Sequence, residues 1–328
     1  MKLFILLLAI SSLNTFAQRP TVIYGEDGRV DVAKSNDPLF KKLSRSTVAL
    51  MRIGDGIKQS GDKYKLNPET FQDSMRVCPE ERFAKQINPA YCSGFLVGDD
   101  LIITAGHCVT SQRKCESTAF VFDFKIAEDG SVNESPKMEN VYHCDRIISS
   151  EYTNEQDYAV IQLKRKVSNR IPLIMNKDKD LEAGTKILVI GHPAGLPTKI
   201  ADGAIVRPSN NLSYFVSNLD TYGGNSGSAV FNHKTGEVEG ILVRGENDYV
   251  RAPGRSCRVS YVCEDNACRG EDSTRLNIIP DFDKILLNQK RFYKRRPNAK
   301  KYARKTYSLA KKKRPYYRSK KYYVKSYK

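Results

Sequence analysis

Between Thr221 and Asn232 the chain reads TYGGNSGSAVFN, with three glycines and two serines in the six residues from Gly223 to Ser228. Gly and Asn tolerate positive φ, so the passage suits a turn. The same permissive backbone can also aim two N–H groups and one hydroxyl at a common point. A serine hydroxyl is a weak nucleophile unless a base takes its proton, so chemistry at Ser226 requires a histidine. The candidates are His107, His143, His192 and His233. His107 stands in LIITAGHCV, where an apolar strand runs into a turn. A base there is held by rigid scaffold yet reaches the surface. Taken alone, His107 equally fits a histidine that caps a turn.

The elements that must position these residues are strands. Short apolar runs recur between turn signals: STVALMRI, SGFLV, LIITA, AFVFDFKI, DYAVIQL, TKILVIG, GAIV, YFVSNL, SAVF and VEGILV. Their Val, Ile, Phe and Thr content, punctuated by Gly, Asp and Asn, predicts an all-β barrel or sandwich. FLVGDDLII predicts a hairpin around Gly98-Asp99-Asp100. IPLIMNKDKDLEAG reads as a connector between two β units, and RLNIIPDFDKILLNQKRF predicts a closing helix. The polar stretch QRPTVIYGEDGRVDVAKSNDP packs loosely or wraps the domain in this reading.

The chain opens MKLFILLLAISSLNTFA, one lysine and then an apolar run from Leu3 to Ile10. This predicts a secretory signal peptide over residues 1–17, cleaved after Ala17. The run is shorter than the roughly 20 residues of a membrane span, so the expected location is secreted or periplasmic. In that compartment the even set Cys78, Cys92, Cys108, Cys115, Cys144, Cys257, Cys263 and Cys268 reads as disulfides. A zinc site from His107-Cys108, His143-Cys144 and the C-terminal cysteines lacks Cys-x-x-Cys or paired-His spacing, so neither metal nor cofactor is expected. The net charge of +17 is not spread along the chain. Eighteen of the 54 basic residues and none of the 37 acidic ones lie in residues 290–328, which leaves a nearly neutral body.

TAGHC followed downstream by GNSGS resembles the chymotrypsin-like (trypsin-like) serine protease family, in its bacterial glutamyl-endopeptidase and HtrA-like branch. The resemblance spans roughly residues 40–285 and is strongest at three segments. It implies two packed six-stranded antiparallel β-barrels, to which the spacing and composition read above add a C-terminal helix and a disordered basic tail. It also implies a Ser-His-Asp triad that cleaves peptide bonds through an acyl-enzyme. The family order puts the carboxylate between His107 and Ser226, where Asp123, Asp129, Asp145, Asp157, Asp178, Asp180, Asp202 and Asp220 lie. DYAVIQL resembles the family's aspartate-led strand and selects Asp157. The backbone N–H groups of Gly224 and Ser226 then form an oxyanion hole. Ser228 falls two residues late for the nucleophile and belongs to the next strand. Family pattern further implies a Cys92–Cys108 disulfide. Cys115 and Cys144 each lie next to a predicted strand and are the expected second pair, which leaves Cys78 to join the Cys257/Cys263/Cys268 set or an unidentified partner.

Two departures bear on activation and specificity. Digestive members carry Asp before the nucleophile to bind a newly cut N-terminus. Asn225 stands there and cannot form that ion pair. Counting back from Ser226, Asp220 lands where trypsin-type enzymes hold the acid that selects Lys or Arg. Thr221, Val243, Arg244 and Gly245 complete the expected pocket, and Arg244 can neutralise the acid. Leu242 occupies the place of the histidine that glutamyl endopeptidases use.

The expected organisation is a signal peptide (1–17), an N-terminal segment or pro-region (18–45), a protease domain (46–288) and a tail (289–328). The tail combines eighteen cations with eight tyrosines and no acid, so it is expected to be disordered when free and to bind an anionic polymer such as lipopolysaccharide, acidic cell-wall polymer or nucleic acid. The alternative function is an inactive protease-fold adhesin acting through this tail. The expected partners are protein or peptide substrates, with no transmembrane segment, and the chain is expected to be a monomer.

Overall fold

The structure is a computed structural model that describes residues 23–176, 181–280 and 282–295. Residues 1–17, read above as a signal peptide, and nearly all of the basic tail lie outside the described residues. The strands that matter for the site are β1 (Arg29–Asp31), β2 (Thr47–Arg52), β3 (Ala90–Leu96), β4 (Leu101–Thr104), β5 (Thr118–Phe122), β6 (Val141–Tyr152) and β7 (Asp157–Leu163). They continue with β8 (Lys186–Gly191), β9 (Lys199–Ile205), β10 (Tyr214–Ser217), β11 (Ala229–Asn232), β12 (Val238–Arg244) and β13 (Glu271–Arg275).

Six of them close a barrel in the order β7-β4-β3-β2-β5-β6. The second sheet runs β10-β13-β12-β11-β8-β9-β1 and differs from the expected six-stranded barrel. Its ring is closed by a single bridge, Val206 to Ser217, beside the Arg207 N–H to Val216 carbonyl bond at 2.8 Å. The reason is that β9 serves two partners. Residues 199–201 pair with the N-terminal strand β1, while the chain just beyond its far end meets β10.

Strands buried on both faces explain why the apolar runs are continuous rather than alternating. In β8, Leu188 and Ile190 join the cluster that spans both barrels, whereas Ile187 and Val189 fill the second barrel. In β2, Val48 and Leu50 face the same shared cluster, and Ala49 and Met51 face a separate one. The shared cluster is therefore the wall between the two units, and the loops at its rim are held by both.

The hairpin at Gly98-Asp99-Asp100 forms, with the Val97 N–H donating to Leu101 at 2.9 Å. Two elements close the ends of the described domain. The closing helix runs Phe282–Arg295, and Gln289, 4% exposed, donates to the Leu173 carbonyl at 2.7 Å. Residue 288 is thus inside the helix. At the other end Val32, Leu39, Phe40 and Leu43 are part of the shared core. The segment from residue 23 wraps the domain, and its apolar side chains pack into the core shared by both units.

Four disulfides link Cys78–Cys257, Cys92–Cys108, Cys115–Cys144 and Cys263–Cys268. The 16-residue loop clamped by Cys92–Cys108 carries His107. On the chain-entropy account such a loop contributes about 3 kcal/mol.

Candidate active site

His107 lies in the short turn Gly106–Cys108 that follows β4. Asp157 opens β7 after the Thr153–Gln156 turn and is 2% exposed. One Asp157 oxygen accepts from His107 Nδ1 at 2.8 Å and the other from the His107 backbone N–H at 3.1 Å. That double hold sets both the ring's tautomer, with the proton on Nδ1, and its place on the backbone. The Asp157 carbonyl in turn accepts from Thr274 Oγ1 on β13 at 2.9 Å, so the second barrel braces the acid of the first.

Residues 222–228 form two consecutive turns. The Asn225 N–H donates to Tyr222 at 2.9 Å, and the Ser228 N–H to Asn225 at 2.8 Å. The Gly223 carbonyl accepts from Ala194 at 2.6 Å. In a trans peptide the N–H points opposite to the carbonyl. Anchoring the Gly223 and Asn225 carbonyls therefore turns the N–H groups of Gly224 and Ser226 the other way, and neither donates to a protein acceptor among the described residues. Gly224 needs to be glycine: its φ is +95°, and a Cβ would lie 2.7 Å from the Gly195 nitrogen.

Ser93 on β3 ties the barrels together at this point. Its N–H donates to the Ser226 carbonyl at 2.9 Å, and its hydroxyl donates to Gly224 at 2.9 Å while accepting from the His192 N–H at 2.9 Å. Cys108 Sγ lies 3.6 Å from the Ser226 carbonyl oxygen. His107 and Ser226 are thus brought to one seam. Ser226 Oγ itself donates to the Val243 carbonyl at 3.4 Å. Cys92, His107 and Cys108 place their ligand-type atoms within 4.8 Å of one another. Metal binding by cysteine needs a thiolate, and both of these sulfurs are in the disulfide.

A cavity of about 260 Å³ opens beside Ser226, lined among others by Thr221, Arg244, Gly245, Asp248 and Glu271. Asp220 is not in its wall. Both Asp220 oxygens accept backbone N–H groups, from Tyr24 and Gly28 at 2.8 Å each. The acid under the pocket is Glu271, 2% exposed, which accepts from Thr221 Oγ1 at 2.8 Å and from Tyr24 Oη at 3.4 Å. A Cβ on Gly245 would fall 1.9 Å from its carboxylate, so only glycine leaves the floor accessible. Arg244 does not neutralise this acid: Nε bonds Asp272 at 2.9 Å and Nη2 bonds the Asn154 carbonyl at 2.6 Å. Val243 contributes only its carbonyl to Ser226.

Burial, opposed by the Thr221 hydrogen bond and reinforced by the nearby Asp248 charge, pushes the Glu271 carboxyl up to about 8. Asp248, whose carboxylate accepts from the Gly223 N–H at 2.7 Å, is pushed up to about 6 by burial. Burial also moves Asp220 up to about 6. Glu271 and Ser93 escape a search for apolar runs. β13 is EDSTR, polar throughout yet buried from Glu271 to Thr274. The only cue to Ser93 is its place directly after Cys92.

Residues 92–241 match the family model for a trypsin-like peptidase domain. These residues therefore carry the pattern of a trypsin-like peptidase domain, over less than half of the chain. It is similar to the glutamyl endopeptidase of Staphylococcus aureus strain MW2, 27% identical over 158 residues, 45% of each chain. The chain thus spans less than half the length of the curated relatives it matches. Among solved structures it is similar to a Glu endopeptidase in complex with MPD, at 17% identity and a TM-score of 0.47, covering 81% of this chain and 97% of that one. It is also similar to the Vibrio cholerae VesB protease, at 15% identity and a TM-score of 0.42, covering 77% and 64%.

The raised Glu271 carboxyl predicts a pH dependence of stability. A group whose folded pKa exceeds its unfolded value stabilises fully below the unfolded value, about 4.3 for Glu, and loses that contribution as pH rises through the folded one. For Glu271 the loss is complete once pH has passed about 8. Replacing Glu271 by Gln should flatten the decline of Tm between about pH 5 and 9, read by thermal unfolding of wild type and variant in matched buffers.

Proposed function

We propose that the chain is an exported serine endopeptidase with Ser226 as nucleophile, His107 as general base and Asp157 as orienting carboxylate. The observation that carries this reading is the double hold of Asp157 on His107 beside the Ser226 turn. An inactive adhesin would have no need of an imidazole oriented in this way. In this mechanism Ser226 Oγ leaves the Val243 carbonyl and donates to His107 Nε2. His107 then takes the Oγ proton as Oγ bonds the scissile carbonyl carbon. The resulting oxyanion is met by the Gly224 and Ser226 N–H groups. Collapse breaks the C–N bond, the amine leaves with the proton from His107, and water frees the acyl group by the same route.

The S1 side chain, in this reading, is cationic. Glu271, Asp248 and Glu246 surround the cavity beside Ser226, and an incoming Lys or Arg favours the ionised form of Glu271. The relatives are named for glutamate, but such a side chain would be repelled here. Export is supported by the four disulfides and by the apolar start of the sequence. No helix among the described residues is long and apolar enough to cross a membrane.

Three outcomes test the proposal. Ser226→Ala or His107→Ala should lower kcat on a peptide substrate on the order of 10⁶-fold, with the double variant scarcely worse, and Asp157→Asn on the order of 10⁴-fold. Full activity in either alanine variant would assign the wrong nucleophile or base. In the same assay, kcat/KM for an Arg substrate relative to a Leu substrate should rise about tenfold from pH 6 to 9 as Glu271 ionises, a change worth about 1.4 kcal/mol. Glu271→Gln should abolish the rise, and preference for a Glu substrate would contradict the assignment. A chain ending at Arg295, which keeps Gln289 in place, should retain peptide hydrolysis while losing binding to anionic vesicles. If six to ten cations engage DNA, that binding weakens by about 10³–10⁵ between 50 and 200 mM salt. Unchanged vesicle binding after truncation would remove the tail from the account.

A further inference from the structure

The stretch from Tyr24 to Arg29 lies almost two hundred residues from the Ser226 turn in sequence and yet holds its entry. Asp220 takes the Tyr24 and Gly28 N–H groups on its two oxygens, at 2.8 Å each. Two residues on, the Tyr222 hydroxyl accepts from Arg29 Nη2 at 2.7 Å, and the guanidinium carbon sits 3.7 Å from the Tyr222 ring centroid. Arg29 is 1% exposed and also makes a forked pair with Asp27, Nε to Oδ1 at 2.8 Å and Nη2 to Oδ2 at 2.7 Å. Tyr222 is the residue whose carbonyl closes the turn over Gly223 and Gly224. Between the two anchors, Thr221 joins Tyr24 on Glu271. Every residue from 220 to 222 is therefore contacted, directly or through one carboxylate, by the N-terminal segment.

We infer that residues 24–29 are a permanently attached strap that presets the turn bearing the Gly224 and Ser226 N–H groups, with Arg29 as its positioning residue. The inference rests on the catalytic reading above. Asn225 carries no charge and cannot pair with a freed N-terminal ammonium. The buried guanidinium of Arg29 supplies a cation to the same loop without any chain cleavage. The segment is then part of the working enzyme, and detaching it weakens catalysis rather than releasing it.

The test uses the full-length chain and Arg29→Ala. Four quantities are read on folded protein counted by circular dichroism and mass: kcat and KM on a peptide anilide, affinity for a peptide boronate that mimics the tetrahedral oxyanion, and the rate of fluorophosphonate labelling. The expected result is a kcat at least tenfold lower with KM within about threefold, and boronate affinity falling in step with kcat. Millimolar methylguanidinium should restore both in Arg29→Ala in a saturable way and leave wild type unchanged, a response that a general loss of stability would not produce.

Unchanged kcat and boronate affinity in folded Arg29→Ala overturns the strap, and so does a lower Tm with no catalytic change. Should Arg29→Ala fail to fold, Asp220→Asn provides the same readings, since it keeps the shape and weakens the carboxylate that holds Tyr24 and Gly28. The two ideas fail differently. Wild type that reacts with neither boronate nor fluorophosphonate sinks the catalytic reading, whereas equal reaction of wild type and variant sinks only the strap.

Discussion

The site depends on the satisfaction of buried carbonyls at the seam between two β units. Ser93, fully buried on β3, supplies a donor to Gly224 and another to Ser226, and its own carbonyl accepts from Thr104 Oγ1 at 2.7 Å. An unpaired carbonyl in this position would cost about as much as a lost hydrogen bond. The turn from Tyr222 to Ser228 is consequently held in a conformation that local sequence alone would not select. The glycines make the conformation accessible, and the partners across the seam make it unique. With carbonyl groups occupied on the inner side, the remaining N–H groups face the cleft.

The first barrel presents His107 and Asp157 through the same economy of contacts. The Cys92–Cys108 bridge clamps the His107 turn to β3, the strand that also carries Ser93. Thr274 reaches from β13 to the Asp157 carbonyl. Each half of the site is thus fixed by a residue of the other half. Relative motion of the two units would disturb hydrogen bonds on both sides, so the shared apolar wall and the site are a single mechanical unit.

The electrostatics of the pocket differ from what the family pattern suggested. Asp220 occupies the expected sequence position but is consumed by the N-terminal segment. Glu271 takes its place beneath the cavity because β13 threads the buried side of the pocket and Gly245 leaves room above it. Arg244, the expected neutralising group, is drawn off to Asp272. Burial pushes Glu271 up to about 8 and Asp248 up to about 6, so the negative charge at the pocket grows as pH rises through that range.

Much of this was legible before any coordinates. The strand-rich barrel character, the hairpin at Gly98, the closing helix and the Cys92–Cys108 pairing all followed from short local patterns or from family motifs. His107, Asp157 and Ser226 stood out because each lies in a motif of a few residues. Tertiary structure alone decided the rest. It assigned Asp220 to the N-terminal segment, Glu271 to the pocket, Ser93 to the seam and β1 to the second sheet. The physical reason is the same in each case. Local motifs encode backbone geometry and chemistry at one point, whereas the partner of a buried polar group is chosen by which distant strands the fold brings within about 3 Å.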